Sequence, residues 1–464
     1  MHAKVGRPLR WRRSMQEQGL AYLHGRFGPE KEFMLKKLLI YLDVAQARPV
    51  AAVFAVQAVS LLLSLAVTLL VANRWGSAGY GIYAYAASWA TLLGAYAGLG
   101  LDQAGLRLIP DYLNRSQHAL IRGFFQVASL ATLLCAMLLA AAALGFSVWL
   151  NFPQEEKTRQ GMWLGLLMIP LVATINLRAS WLRSMQQPVW SQLPDKIIRP
   201  LILLLLVLVF WRSAAEPVHV VAMAVVSTAL ALAITTFRSQ QVMALQVNRI
   251  KPHRLTKTWL RLGLSLLLIN GAYYLMAQLP TVLLGALYPS HETGLFAIAY
   301  RISDMEGYLL FALNVVLAPL IARLYSAGQK QELQMTVTRS LRFGFLMAMP
   351  LMVLCLLAPR WVLSFFGPSF GEAAPVLILL TAGQVFTFAM GPVGYLLTMT
   401  GHQGTAIRLL SGGALLNGML CLLLIPPFGA MGAAIAAAAS GAALNAAMAV
   451  AGYRLTGINP TLLT

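Results

Sequence analysis

Leu69 to Trp89 reads LLVANRWGSAGYGIYAYAASW, and Val282 to Ile302 reads VLLGALYPSHETGLFAIAYRI. At an offset of 213 residues Ser77 falls on Ser290, Gly81 on Gly294, Ala84 on Ala297 and Ala86 on Ala299. In each copy an apolar run ends in a short polar turn, and a second apolar run starts just after the glycine. That is a helix leaving an apolar layer and the next one returning to it. Two copies in a chain of 464 residues predict two similar halves. Membrane proteins built from two like halves are mostly transporters, because two lobes can rock around a site held between them.

Composition agrees with the hairpins. Hydrophobic residues make up 59% and charged residues 11%, with a mean hydropathy of +0.70. A soluble domain carries roughly 25% charged residues, so the class is a polytopic membrane protein. From Ala51 onward twelve apolar spans lie near 51–72, 81–101, 123–150, 161–182, 197–211, 217–237, 262–287, 294–321, 341–359, 374–399, 405–426 and 428–453. Each approaches the ~20 residues of a bilayer-crossing helix, the fifth being short. The expected fold is all-α and integral to the membrane, with about twelve transmembrane helices. They form two six-helix lobes, and because six is even the lobes are parallel repeats. The expected division is a basic arm over 1–50, a first lobe over 51–240, a basic linker over 241–261, a second lobe over 262–455 and a short tail over 456–464.

Charge tests that count. With the N-terminus inside, 29 of the 35 Lys and Arg fall in alternate, cytoplasmic segments. The outer loops hold Arg74, Lys157, Arg159, Arg212 and Arg360, and Arg301 lies within a span. This is the positive-inside rule, so the net charge of +20 describes orientation and calls for no nucleic-acid partner. The arm carries ten Lys and Arg, and Trp11 with FMLKKLLIYL can anchor it at anionic lipid headgroups.

Polar residues inside the spans mark a candidate site. On the seventh span Asn270, Tyr274, Gln278 and Thr281 share one helix face, and the first span answers with Gln57, Ser60, Ser64 and Thr68. Arg301, Asp304 and Glu306 lie well inside the eighth span, where a lone charge costs about 2.5–3.5 kcal/mol and so faces a watery cavity or a partner. Arg301 and Asp304, at i and i+3, can pair on one face, while Glu306 points elsewhere. A guanidinium suits a pyrophosphate. Arg178 beside Asn176, and Arg74 at the outer end of the first span, are weaker candidates that can also snorkel to an interface. Cys135, Cys355 and Cys421 lie in apolar runs with no metal-ligand spacing, and no nucleotide-binding or catalytic motif is present. The sequence therefore predicts no enzyme, no cofactor and no metal.

RWGSAGYGIYAYAASW and GLGLDQAGLRLIPDYL resemble the opening helices of the bacterial oligosaccharide (O-antigen type) flippases of the multidrug/oligosaccharidyl-lipid/polysaccharide exporter superfamily. YPSHETGLFAIAYRI, LAPLIARLYSAGQKQEL and GAMGAAIAAAASG in the second half resemble that family too. Members often carry two further spans. The first span here lacks the carboxylate that drug/cation antiporters of the superfamily use for ion coupling.

The resemblance implies transfer of an undecaprenyl-pyrophosphate-linked oligosaccharide from the inner to the outer leaflet, by alternating access, for surface polysaccharide such as lipopolysaccharide O-antigen. It implies a bacterial inner membrane with both termini cytoplasmic, membrane lipids as surroundings, and polysaccharide polymerase and glycosyltransferases as partners. A drug/cation antiporter on the same fold, and a non-transporting scaffold of a glycan-synthesis complex, are the alternatives. The topology has a direct test: reporter fusions at Gln154 and Gln246 read outside and inside respectively, and identical readings refute it.

Overall fold

In this computed structural model residues 44–212, 216–247 and 251–462 are described. Most of the arm expected over 1–50, and residues 248–250 of the linker, lie outside the described residues. Two units are distinguished, residues 1–58 and residues 59–464, and Gln57 belongs to the first.

Among the described residues there is no strand. Helix α1, Val44–Ala97, is 54 residues long. At 1.5 Å per residue that is about 80 Å, far more than the ~30 Å hydrocarbon layer, so it must turn. It turns at Gly76, whose φ of 66° and ψ of −167° suit a residue without a Cβ. The result is two passes, the second extended by α2, Leu101–Asn114. Pass three is α3, His118–Trp149. Pass four is α4, Glu156–Leu166, with α5, Met168–Ser184. Pass five joins α6, Pro188–Leu193, through a π-helical turn to α7, Arg199–Val209. Pass six is α8, Val218–Val247.

The second half follows the same plan. Passes seven and eight are α9, Thr256–Leu287, and α10, Ser290–Ser326. Pass nine is α11, Lys330–Leu357. The short α12, Pro359–Ser364, leads to pass ten, made of α13, Ala374–Met390, and α14, Val393–Met399. The 54-residue α15, Gln403–Thr456, bends at Gly429 after Pro426 and Pro427 and supplies passes eleven and twelve. At this bend the Ala430 N–H turns to Glu292 Oε2 at 3.3 Å, and the Pro426 carbonyl it would meet in a straight helix accepts from the Tyr288 hydroxyl at 2.8 Å.

The connections gather at two ends. The sparse end holds the turns at Gly76, 150–155, 210–212 with 216–217, 288–289, 358–373 and Gly429. The basic end holds those at 115–117, 185–187, 251–255, 327–329 and 400–402.

The repeated hairpins meet each other at the sparse end. A Cβ on Gly81 would overlap the Ser290 carbonyl oxygen, and one on Gly294 would overlap the Ser77 carbonyl oxygen. The contact is thus reciprocal: each copy's glycine sits on the other copy's serine, as a two-fold relation between parallel repeats requires. Around it Ile82 and Ala86 of pass two share one core with Leu295, Phe296 and Ala299 of pass eight.

Near the basic end, pass two breaks at Leu99 and Gly100, both at positive φ, which lets α2 lean on α9. A Cβ on Gly100 would overlap the Gly263 carbonyl oxygen. Trp259, fully buried, meets Phe124 edge-on at 5.4 Å and donates to the Tyr112 hydroxyl at 3.0 Å. Substituting Gly294 by Val inserts a side chain where backbone meets backbone, an overpacking worth about 1–3 kcal/mol. The expected outcome is separation at the sparse end. It is read as faster labelling of a Ser77→Cys variant by a membrane-impermeant maleimide when Gly294→Val is added.

Candidate functional site

Polar groups close the sparse end over the glycine contact. Glu155, in the connection between passes three and four, accepts from the Ser290 backbone N–H at 2.8 Å and from the Ser290 hydroxyl at 2.9 Å. A carboxylate at this place meets the free N–H groups and the positive dipole end of α10. Ser77 Oγ lies 2.6 Å from His291 Nδ1, and His291 Nε2 lies 3.0 Å from Glu372 Oε2. Asn73 of pass one donates to the Phe365 carbonyl at 2.9 Å. Each half therefore holds the other through side chains as well as backbone. On the exposed rim Lys157 pairs with Glu216 at 2.8 Å, a hydrogen bond that raises the ammonium and lowers the carboxylate from their ordinary values.

Beneath this closure lies Arg301. Eleven residues beyond Ser290 place it roughly 16 Å along the helix from the sparse end. Its electrostatic neighbours are Tyr80 and Tyr83 of pass two, Tyr308, and Asp304. Two of these belong to the opposite lobe, so the guanidinium stands at the interface between halves.

The i, i+3 pair that the sequence allows is not formed. Among the described residues no ion pair joins Arg301 to Asp304, and Asp304 is exposed. The physical reason is the orientation of Arg301 toward the tyrosines across the interface. Glu306 is 0% exposed and turns into the second lobe, where its Oε1 accepts from Thr381 Oγ1 at 3.1 Å and Cys355 lies beside it.

A second polar group forms where pass seven meets passes two and four. Asn270 and Tyr274 line a small cavity with Asn176, Asp102, Gly94 and Gly98. Asp102 and Arg183 are charged neighbours of the Tyr274 hydroxyl. The structure thus joins Asn270 and Tyr274 to Asp102, Asn176 and Arg183.

The other candidates lie elsewhere. Gln278, further along pass seven, is half-buried. Ser64 Oγ bonds to the Leu61 carbonyl of its own helix at 3.2 Å. Arg178 stays within the first lobe, donating to Ser239 Oγ at 3.1 Å and stacking over Trp181 at 5.6 Å. Arg74 caps the turn after pass five, donating to the Trp211 carbonyl at 3.0 Å.

Sequence reasoning missed Glu155, His291 and Glu372 because they stand in loops or at helix ends, where charge is ordinary. Asp102 was findable: it stands two residues after the glycine break at Gly100, inside an apolar segment.

With the reciprocal hairpins and the interfacial polar groups in place, comparison with known proteins assigns the family. The profile described as Polysaccharide biosynthesis protein matches residues 47–325, more than half of the chain. The chain belongs to that family. The MatE profile also matches this polysaccharide biosynthesis protein, over residues 269–423.

An uncharacterized membrane protein of Methanocaldococcus jannaschii is 23% identical over 394 residues, covering 80% of this chain and 76% of that one. A probable flippase, AglR, of Haloferax volcanii is 27% identical over 202 residues, covering 42% of each chain. Two solved structures share the fold. One is an inward-facing multidrug resistance MATE family transporter, with a TM-score of 0.66, 14% identity, and coverage of 86% of this chain and 94% of that one. The other is the lipid II flippase MurJ in an inward closed conformation, with a TM-score of 0.64, 14% identity and coverage of 87% of each.

Glu155 generates a prediction of its own. Glu155→Ala leaves the Ser290 N–H and hydroxyl uncapped, a loss of about 1–2 kcal/mol for a helix cap. The expected result is a lower melting temperature of the detergent-solubilised protein by scanning fluorimetry, while Glu156→Ala, next to it, has a smaller effect.

Proposed function

We propose that this polysaccharide biosynthesis protein flips a lipid-linked oligosaccharide, carried on undecaprenyl pyrophosphate, from the inner to the outer leaflet. The reading places it in a bacterial cytoplasmic membrane with both termini inside, serving surface polysaccharide such as O-antigen. Polysaccharide polymerase and glycosyltransferases are the partners that follow. The observation that carries it is Arg301: a guanidinium eleven residues into pass eight, at the lobe interface, with no carboxylate bound to it among the described residues.

A pyrophosphate crossing hydrocarbon without a counter-charge is very costly. A guanidinium replaces part of its hydration with a bidentate fork. Tyr80 and Tyr83 provide hydroxyls on the opposing lobe, and Tyr308, 46% exposed, provides one on the same helix. Rocking of the two lobes would expose this interface to each side in turn. The sparse-end closure and the exposed Asp304 below it are consistent with one stage of such a cycle. The similarity to the archaeal probable flippase supports the flippase reading, and MurJ shares the fold.

The MatE match over the second half favours a second reading, drug or cation exchange on the same fold. Against it, the polar stripe of the first span is built from Gln57, Ser60, Ser64 and Thr68, with no carboxylate.

Surface glycan and membrane abundance, measured together in cells lacking the native gene, decide the reading. Arg301→Ala is expected to abolish glycan display at normal abundance. Arg301→Lys keeps part of it, because a point charge remains while the fork is lost. Asp304→Asn has the smaller effect. Full display in the Arg301→Ala/Asp304→Asn double variant rules out Arg301 as the headgroup ligand.

A further inference from the structure

A groove of about 880 Å³ opens at the basic end between α2 of the first lobe and the start of α9 of the second. Arg107 stands on one wall, and Lys257 and Arg261 stand on the other. The spacing is helical on both sides, so the cations project from successive turns into one channel. None of the three is bound to a carboxylate among the described residues. Asp111, the acid of the groove, is held by Arg115 at 3.0 Å, which leaves a net charge of three cations facing the space. Leu108 and Leu262 give the same groove an apolar strip. A lining with converging cations at one place and hydrocarbon at another suits an amphipathic anion.

The walls are set before any ligand arrives. The Gly100–Gly263 contact brings the two helices together just above the groove. Trp259, two residues from both Lys257 and Arg261 and so on the other side of α9, is locked by the Tyr112 hydroxyl and the Phe124 ring. His253 N–H donates to the Ala119 carbonyl at 3.0 Å and Arg254 to Gln126 Oε1 at 2.9 Å, so the segment leading into α9 is stapled to pass three. Fixed walls lower the ordering cost of binding. Simple charge bias toward one side of a membrane needs no such convergence, because cations anywhere along that end satisfy it. Arg339 and Arg342, on pass nine at the same end, are examples outside the groove.

We infer that this groove docks the diphosphate headgroup of a polyprenyl lipid at the basic end, before the lobe interface takes it. Two adjoining phosphates match cations on two facing walls, and the isoprenoid chain matches the leucine strip. A phosphatidyl lipid offers a single phosphate and no such match. The inference rests on the flippase reading for the identity of the natural lipid, but its test involves no transport.

The probe is farnesyl diphosphate, titrated calorimetrically into the full chain in nanodiscs of neutral phosphatidylcholine. Lys257→Gln/Arg261→Gln should weaken binding by about tenfold or more, as loss of charge-assisted bonds requires. Arg339→Gln/Arg342→Gln removes the same charge from the same end and should leave the affinity unchanged. Equal weakening by both double variants would reduce the effect to the general field and overturn the inference. So would unchanged affinity in Lys257→Gln/Arg261→Gln. A third arm replaces the probe with phosphatidylglycerol in the disc: displacement of farnesyl diphosphate by it at comparable concentration would mean a surface for any anionic lipid, and would also overturn the inference. If deleting the gene leaves surface glycan unchanged, the flippase reading fails while the titration still decides the groove.

Discussion

The close approach of Gly81 and Gly294 is the constraint on which the interlobe arrangement rests. Backbone reaches backbone there because neither position carries a Cβ. Only at that distance can Ser77 reach His291, and only then does Glu155 reach the first turn of α10. A bulkier residue at either place would hold passes two and eight further apart. The tyrosines of pass two would then no longer face Arg301. In hydrocarbon, where apolar attraction between helices is weak, small residues at a crossing and interhelical hydrogen bonds supply the association. This seam uses both.

The intramembrane charges show how position decides role. Arg178 and Arg301 are the same residue type, each set within a long helical pass. Arg178 faces inward, toward Ser239 and the Trp181 ring, and so is satisfied within one lobe. Arg301 faces across the interface, where its neighbours are tyrosines of the opposite half. Glu306 and Asp304, two residues apart, diverge for the same reason. One lies against Thr381 and Cys355 in the second lobe, and the other is exposed. Helical periodicity turns neighbours in sequence by ~100° and gives them different surroundings.

Much of the fold was legible in the hairpin. The offset of 213 residues gave the repeat, the repeat gave two halves, and the apolar runs gave twelve passes whose turns recur in the structure at Gly76, Pro289 and Gly429. What the sequence could not give was which way the polar faces point. Arg301 and Asp304 share a helix face by spacing, yet the guanidinium leaves its neighbour for a surface contributed by residues more than 200 positions away. Asn270 and Tyr274 were visible as a stripe, but Asp102, Asn176 and Arg183 join them only through packing of passes two, four and seven. Loop residues such as Glu155 carry no periodic signal, so their contacts with the opposite half are invisible before folding.

The reciprocity of the hairpins bears on how such a chain can change over generations. A substitution at Gly81 is felt at Ser290, and one at Gly294 is felt at Ser77, so neither copy can drift without disturbing the other. The other close contact between the halves, Gly100 against Gly263, is not reciprocal, since at the same offset these positions fall on Leu313 and Val50. Ancestral likeness between the halves is therefore expected to persist longest where they touch reciprocally. That is where it remains visible in this chain, in two stretches of twenty-one residues, while their flanks have diverged.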